Sequence, residues 1–271
     1  MDTTSRASVA ALEKLAVRLR NAQATRTPCP PLIEDVPHLR LSEAYQIQRI
    51  NVRAHMAGST HSEPRTLVGH KIGLTSEAVM KWLNVREPDF GCLTSDMVVP
   101  NGGLVTVSDL LQPRAEAEIA FVLARDLSGP GVTAADVIAA THYVLPAIEI
   151  VASRVADWKI SIIDTVADNA SAGMFVLGPE PQSLHGLDLA LAGMKLSKNG
   201  RVVSTGAGAA CMDHPVHAVA WLANTFGRLG TTLRAGEVIL SGALGPVTPV
   251  VAGDFLDAEI AHLGRVSVRF A

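Results

Sequence analysis

The sequence predicts an α+β fold, with a helical N-terminal segment followed by short strands and a few helices set among them. Three observations carry that reading. Apolar residues recur at helical spacing near the start of the chain. Beyond about residue 60 the pattern turns to short strand-like runs punctuated by glycine and proline. These runs do not follow the strict strand–helix–strand alternation of a parallel α/β sheet. The division expected is residues 1–60 as a helical segment and residues 61–271 as the larger domain.

The elements follow in order. From residue 8 to about 23, Val9, Leu12, Leu15, Ala16 and Leu19 recur at helical spacing. Pro28-Cys29-Pro30-Pro31 cannot continue that helix and reads as an extended linker. A second helix is expected with Ser42 as its N-cap, burying Ala44, Ile47, Ile50 and Ala54 and ending near Gly58. Residues 98–100 and 104–107 read as strands around the turn Asn101-Gly102-Gly103. Arg114–Leu123 reads as a longer strand, residues 134–143 as a helix and residues 144–151 as an apolar strand. Pro215 at the first helical position opens a helix carrying Val216, Val219, Ala220, Leu222, Ala223 and Phe226, closed by Gly227. Residues 237–240, Phe255–Ile260 and residues 266–270 supply the last strands.

Composition excludes several classes. The 271 residues are 48% hydrophobic and 18% charged, which suits a well-buried globular chain. The formal net charge is −3, with neither sign gathered into a run, so no nucleic-acid or membrane-surface partner is expected. Aromatic residues at 4% are too few for base-stacking platforms. No apolar run reaches the ~18 residues of a membrane span. Cys29, Cys92 and Cys211 lie far apart and are odd in number, which fits no disulfide framework and points to a reducing, cytoplasmic compartment.

The most informative segment is Arg114–Leu123. In a strand, residues two apart share a face, so Arg114, Glu116 and Glu118 point one way while Ala115, Ala117, Ile119, Phe121 and Leu123 point the other. After Glu118 even the charged face becomes apolar, with Ala120 and Val122. Glu149 stands alone in an apolar run. Carboxylates held together in a low dielectric protonate unless a cation neutralises them. Arg114 would provide part of that charge and a divalent metal more; an oxygen-only set favours Mg²⁺ or Mn²⁺ over Zn²⁺. A plainer reading fits the same spacing: Glu116 and Glu118 on a solvated strand face, and Glu149 paired with an arginine such as Arg154.

Other segments have local readings of their own. Gly69-His70-Lys71-Ile72-Gly73-Leu74-Thr75-Ser76 reads either as a turn with a solvent-facing lysine or as a segment placing Lys71 as a buried cation; its glycine spacing is not that of a phosphate-binding loop. Pro88-Asp89-Phe90-Gly91 reads as a turn with Asp89 as turn former. Asp164-Thr165-Val166-Ala167-Asp168-Asn169-Ala170-Ser171 suits local capping or hydrogen bonding to a site. His214 reads as a cap or core histidine beside Pro215, and Gly206-Ala207-Gly208 lacks the spacing of a dinucleotide fingerprint. Ser241-Gly242-Ala243-Leu244-Gly245-Pro246 follows a strand and suits a loop closing over a ligand; Cys92 and Cys211 receive no nucleophilic role.

Taken together, Lys71-Ile72-Gly73-Leu74-Thr75-Ser76, Pro88-Asp89-Phe90-Gly91 and Gln112-Pro113-Arg114-Ala115-Glu116-Ala117-Glu118 resemble the 2-hydroxypenta-2,4-dienoate (2-oxopent-4-enoate) hydratase family. Asp157-Trp158, the 164–171 segment and the 241–246 segment do so as well, and the likeness runs from about residue 40 to the end. The resemblance implies a fumarylacetoacetate-hydrolase-like mixed β-roll with surrounding helices, here over residues 61–271. It implies that Glu116, Glu118 and Glu149 are ligands of Mg²⁺ or Mn²⁺, that Lys71 and Asp89 are catalytic, and that Ser171, with Arg114, binds substrate. The implied reaction converts 2-hydroxypenta-2,4-dienoate to 4-hydroxy-2-oxopentanoate in the catabolism of aromatic compounds. The neighbouring alternatives are a 4-oxalocrotonate decarboxylase and a hydratase of a longer dienoate. A non-catalytic partner subunit of a decarboxylase is the reading of another class. A homo-oligomer is implied too, with a decarboxylase or aldolase of the same pathway as a further partner.

Overall fold

The computed structural model describes residues 7–58, 64–82 and 85–271. The expected division near residue 60 lies outside the described residues. In chain order the elements are α1 (Val9–Thr25), α2 (Leu32–Asp35), α3 (Leu41–Ala57), β1 (Leu67–Gly73), α4 (Glu77–Trp82), β2 (Asp89–Thr94), β3 (Val98–Val99), β4 (Leu104–Val105), β5 (Arg114–Leu123), α5 (Ala134–Ala140), β6 (Thr141–Val151), α6 (Ile162–Ala167) and β7 (Ala172–Leu177). There follow β8 (Gly193–Lys198), β9 (Arg201–Ala207), α7 (Pro215–Arg228), β10 (Val238–Ala243), β11 (Thr248–Pro249), β12 (Phe255–Ile260) and β13 (Gly264–Phe270). No described helix is long and apolar enough to cross a membrane.

Among the described residues the strands form two sheets, an α+β arrangement as expected. The eight-stranded sheet runs β2-β1-β10-β5-β6-β7-β3, with β11 added to β5; the five-stranded sheet runs β4-β13-β12-β8-β9. Pairing is mixed: β5 is antiparallel to both β6 and β10, whereas β1 runs parallel to β10. The main core lies between the sheets and α7, where Ile119, Phe121 and Ile148 meet Leu196, Leu256, Val268 and Leu222. The opposite face of the larger sheet is also buried, with Leu93, Ala120, Val122, Leu145, Phe175 and Leu240 packed together. Two-sided burial explains why β5 and β6 read as nearly unbroken apolar runs. A separate cluster joins α1 and α3 to α6 through Leu12, Leu15, Leu19, Ile47, Val155 and Val166.

Several boundaries depart from the sequence reading. α3 begins at Leu41, not after Ser42, because Glu43 reaches back to accept from the Arg40 N–H at 2.8 Å and from the Ala7 N–H at 2.9 Å. The helix expected over 134–143 stops at Ala140, and Thr141 already pairs with Leu123 in the β5–β6 ladder. The two strands around Asn101-Gly102-Gly103 exist but are not a hairpin: β3 pairs with β7 in one sheet and β4 with β13 in the other. The turn chemistry is as read, with Gly102 at φ 74°, and distant partners decide where each strand goes. Gly227 lies inside α7, which ends at Arg228. His214 caps α7 through Nδ1, which accepts from the Val216 N–H at 3.2 Å.

The glycine-flanked segment around Lys71 is a strand, not a turn, and Asp89 opens a strand as well. Gly69 is required by proximity: a Cβ there would stand 1.9 Å from the Val238 carbonyl oxygen of β10. Replacing Gly69 with Ala should therefore destabilise the protein by about 1–3 kcal/mol, the cost of overpacking. A urea titration in which Gly69→Ala unfolds at the wild-type midpoint would show that β1 and β10 are not packed this closely.

Candidate active site

Glu116 and Glu149 stand directly opposite each other in the β5–β6 ladder, and Glu118 stands opposite Ala147. Strand alternation puts all three carboxylates on the face of the large sheet that carries Ala120, Leu145 and Leu240, opposite the main core. One ligand atom from each of the three lies within 4.8 Å of the others, and no other such acidic, His or Cys group gathers among the described residues. Glu118 and Glu149 are buried and Glu116 is partly so, which overturns the reading of a solvated strand face.

The cation beside them comes from β1. Lys71 Nζ lies 3.2 Å from Glu149 Oε2, with both side chains buried. The alternative partner for Glu149, Arg154, instead makes an ion pair with Asp168. Burial alone would depress the Lys71 ammonium, but Glu149, Asp89, Glu116 and Glu118 outweigh it and hold its pKa above the ordinary lysine value. Burial pushes Glu116 up to about 7, helped by repulsion from Glu149 and opposed by Lys71. The same causes drive Glu118 well above the usual carboxylate range, and burial raises Glu149 against the pull of Lys71.

Asp89 reaches the same space from the start of β2. It is buried, and Thr165 Oγ1 of α6 donates to its Oδ2 at 3.3 Å. Burial raises Asp89, with Lys71 the main opposing influence. Gly73 makes this approach possible, since a Cβ there would sit 2.3 Å from Asp89 Oδ1 and 3.3 Å from Lys71 Nζ. Gln48 of α3 fixes both sides of the Asp89–Thr165 contact, donating to the Phe90 carbonyl at 2.8 Å and to the Val166 carbonyl at 3.1 Å.

Ser171 ends a run of left-handed residues, Asn169, Ala170 and Ser171, at φ 57°, 51° and 54°. Non-glycine residues held there carry strain of about 1–3 kcal/mol each, which persists only where the surroundings enforce it. Asn169 supplies the enforcement: its Oδ1 accepts from the Cys92 N–H at 2.8 Å and its Nδ2 donates to the Cys92 carbonyl at 2.9 Å. Ser171 Oγ is buried without a hydrogen-bond partner. Arg114 lies apart from the carboxylates, with its guanidinium 4.5 Å over the Trp158 ring and no ion-pair partner among the described residues. Trp158 is held by its Nε1, which donates to the Gln112 carbonyl at 3.0 Å.

Sequence reasoning missed the Gly242 N–H, which donates to Glu118 Oε2 at 2.8 Å, and the Thr165 contact with Asp89. A backbone donor leaves no residue-type signal, and Thr165 was legible only as part of a polar segment. The donor set fits a divalent cation. Glu118 Oε1 and Glu149 Oε1 are buried without a hydrogen-bond partner, a costly state for carboxylates unless charge and coordination are supplied. Oxygen-only ligation suits hard cations of the Mg²⁺, Mn²⁺ or Ca²⁺ kind.

Residues 51–271, which carry this site, match the family model described as fumarylacetoacetate (FAA) hydrolase C-terminal. The chain belongs to the fumarylacetoacetate hydrolase family. Within the family, it is 50% identical over 258 residues to the 2-keto-4-pentenoate hydratase of Paraburkholderia xenovorans, covering 95% of this chain and 94% of that one. It is 47% identical over 261 residues to the 2-hydroxyhexa-2,4-dienoate hydratase of Comamonas testosteroni, covering 96% and 97%. Among solved structures, the 4-oxalocrotonate decarboxylase of Pseudomonas putida G7, complexed with magnesium and adipate, superposes with a TM-score of 0.92 at 38% identity. That match covers 98% of this chain and 100% of the decarboxylase.

The carboxyl cluster ties stability to pH. Glu116 sits at about 7 in the folded protein against an ordinary value of 4.5, so folding tightens its hold on a proton. Its contribution is fully present below about pH 4.5 and is lost as pH rises through about 7. A divalent cation competes with that proton, so its stabilising effect should grow across the same interval. Thermal unfolding with Mg²⁺ or with EDTA should diverge progressively between about pH 5 and pH 8; a gap that stays constant with pH would show that proton and cation do not compete.

Proposed function

We propose that this chain is a divalent-metal-dependent hydro-lyase that converts 2-hydroxypenta-2,4-dienoate to 4-hydroxy-2-oxopentanoate in the degradation of aromatic compounds. The observation that carries the reading is the buried meeting of Glu116, Glu118 and Glu149 with Lys71, in a chain half-identical to a 2-keto-4-pentenoate hydratase. Glu116, Glu118 and Glu149 would hold Mg²⁺ or Mn²⁺, whose chemistry there is Lewis-acid polarisation of the substrate's C2 oxygen.

The remaining work falls to this chain's side chains. Two proton movements are required: the 2-hydroxyl loses its proton while C5 gains one, giving 2-oxopent-3-enoate; then water adds at C4 and C3 is protonated. Lys71 is held cationic by its carboxylate neighbours, and its proton would loosen for transfer once those carboxylates bind a divalent cation. Asp89, raised by burial against the charge of Lys71 and hydrogen-bonded by Thr165, takes a proton and returns it. Ser171 Oγ, a buried hydroxyl without a protein partner, is available to hold a substrate oxygen. Arg114, stacked over Trp158 and without an ion-pair partner among the described residues, offers a cation that draws the anionic substrate toward the site. The apolar side chains that share the sheet face with the carboxylates exclude bulk water and strengthen each of these interactions. Three free cysteines suit a reducing cytoplasm, and the family resemblance supports a homo-oligomer.

The structural likeness to a 4-oxalocrotonate decarboxylase supports a second reading, loss of CO₂ from 4-oxalocrotonate. One assay separates the two. Ultraviolet absorbance of freshly generated 2-hydroxypenta-2,4-dienoate should fall with Mg²⁺ or Mn²⁺ and persist with EDTA, and the product should gain the mass of one water. A dienol signal that persists under both conditions, with CO₂ released from 4-oxalocrotonate, would transfer the assignment to the decarboxylase. Glu116→Gln should abolish metal-dependent turnover with the fold intact, and Lys71→Met should lower kcat about 10²–10⁴-fold, as expected for loss of a general acid or base. Wild-type rates in both variants would remove the proposed chemistry.

A further inference from the structure

We infer that Cys211 is a positioning residue for the Glu118 carboxylate, acting through one peptide group of β10; the inference rests on the reading of Glu118 as a metal ligand. The ladder between β10 and β5 breaks register between Leu240 and Ala243. Such a bulge releases backbone groups from the ladder and re-aims them. The released peptide joins Ser241 to Gly242. Its N–H, on Gly242, donates to Glu118 Oε2 at 2.8 Å. Its carbonyl, on Ser241, accepts from Cys211 Sγ at 3.0 Å. A planar unit thus carries the thiol at one end and the carboxylate at the other. Fixing the carbonyl fixes the direction of the N–H, and hydrogen bonds in series strengthen one another.

Each end of this arrangement is itself constrained. Cys211 is fully buried, its N–H donates to the Gly208 carbonyl at 3.0 Å, and the next N–H, on Met212, donates to the Thr75 carbonyl at 3.1 Å. Gly242 adopts φ 116°, and a Cβ there would lie 2.2 Å from Thr75 Oγ1, so only glycine fits at this end of the peptide. Glu118 is buried with Oε1 lacking a hydrogen-bond partner, and its Oε2 accepts from the Gly242 N–H. The thiol therefore governs a carboxylate it does not touch.

Loss of an outer group that orients a metal ligand typically costs about 10–100-fold in metal affinity, and a thiol is a weak donor, so the lower end is expected. The experiment titrates metal-free protein with Mn²⁺, without substrate, and reads free Mn²⁺ by electron paramagnetic resonance. Cys211→Ala should bind Mn²⁺ about tenfold more weakly than wild type. Cys211→Ser, which keeps a donor, should recover most of the loss. Should the alanine variant fail to fold, Cys211→Val fills the space without a donor and is expected to show the same weakening. Wild-type affinity in the alanine or valine variant, with Glu118→Gln impaired, would overturn the role of Cys211 alone. Equal weakening in the serine and alanine variants would overturn it too, by making the effect one of volume. Wild-type affinity in Glu118→Gln would instead remove the ligand reading on which the inference stands.

Discussion

Everything about this chain's architecture turns on keeping several like charges buried together. Glu118 and Glu149 lie fully inside the protein with Glu116 beside them, and the nearest fixed cation is Lys71. Isolated buried carboxylates cost several kcal/mol each, so the fold must either neutralise them or protonate them. The raised position of Glu116 at about 7 shows how near the balance lies to neutral pH. A site poised in this way binds a divalent cation in exchange for protons.

The β-roll answers the placement problem that this imposes. Antiparallel pairing of β5 with β6 puts Glu116 opposite Glu149 with no contribution from loops. Lys71 and Asp89 arrive from the antiparallel pair β1 and β2, which is itself pinned to α3 and α6 through Gln48. The N-terminal helices thereby take part in holding the carboxylate face, and Tyr45 of α3 stacks on Phe90, next to Asp89. Reactive groups carried on paired strands are held more tightly than groups on loops.

Legibility in the sequence followed the locality of each cause. Arg114–Leu123 was readable to the residue because alternation of side chains is a local property, and it put Glu116 and Glu118 on one face before any partner was known. The strand around Lys71 was hidden by its own glycines, which punctuate turns in most sequences. Gly69 and Gly73 serve a different need: each leaves space for an atom of another strand, the Val238 carbonyl or the Asp89 carboxylate. That need is invisible until the partner strand is in place. Asp89 was concealed in the same way, since proline, aspartate and glycine close together are ordinary turn chemistry. Burial of Glu149 was legible from its apolar neighbours, but its choice of Lys71 over Arg154 was not, because Asp168 takes Arg154.

The Asn169 clamp has a meaning beyond supporting Ser171. β2 is an outer strand of the large sheet, and an outer strand with bare peptide groups invites pairing with another chain. By accepting from the Cys92 N–H and donating to the Cys92 carbonyl, the Asn169 amide imitates the peptide of a missing neighbour. One side chain thus ends the sheet at its midpoint. Aspartate at this position would lose the donor and serine would lose the reach, so the residue that supports Ser171 also occupies the peptide groups at the middle of that edge.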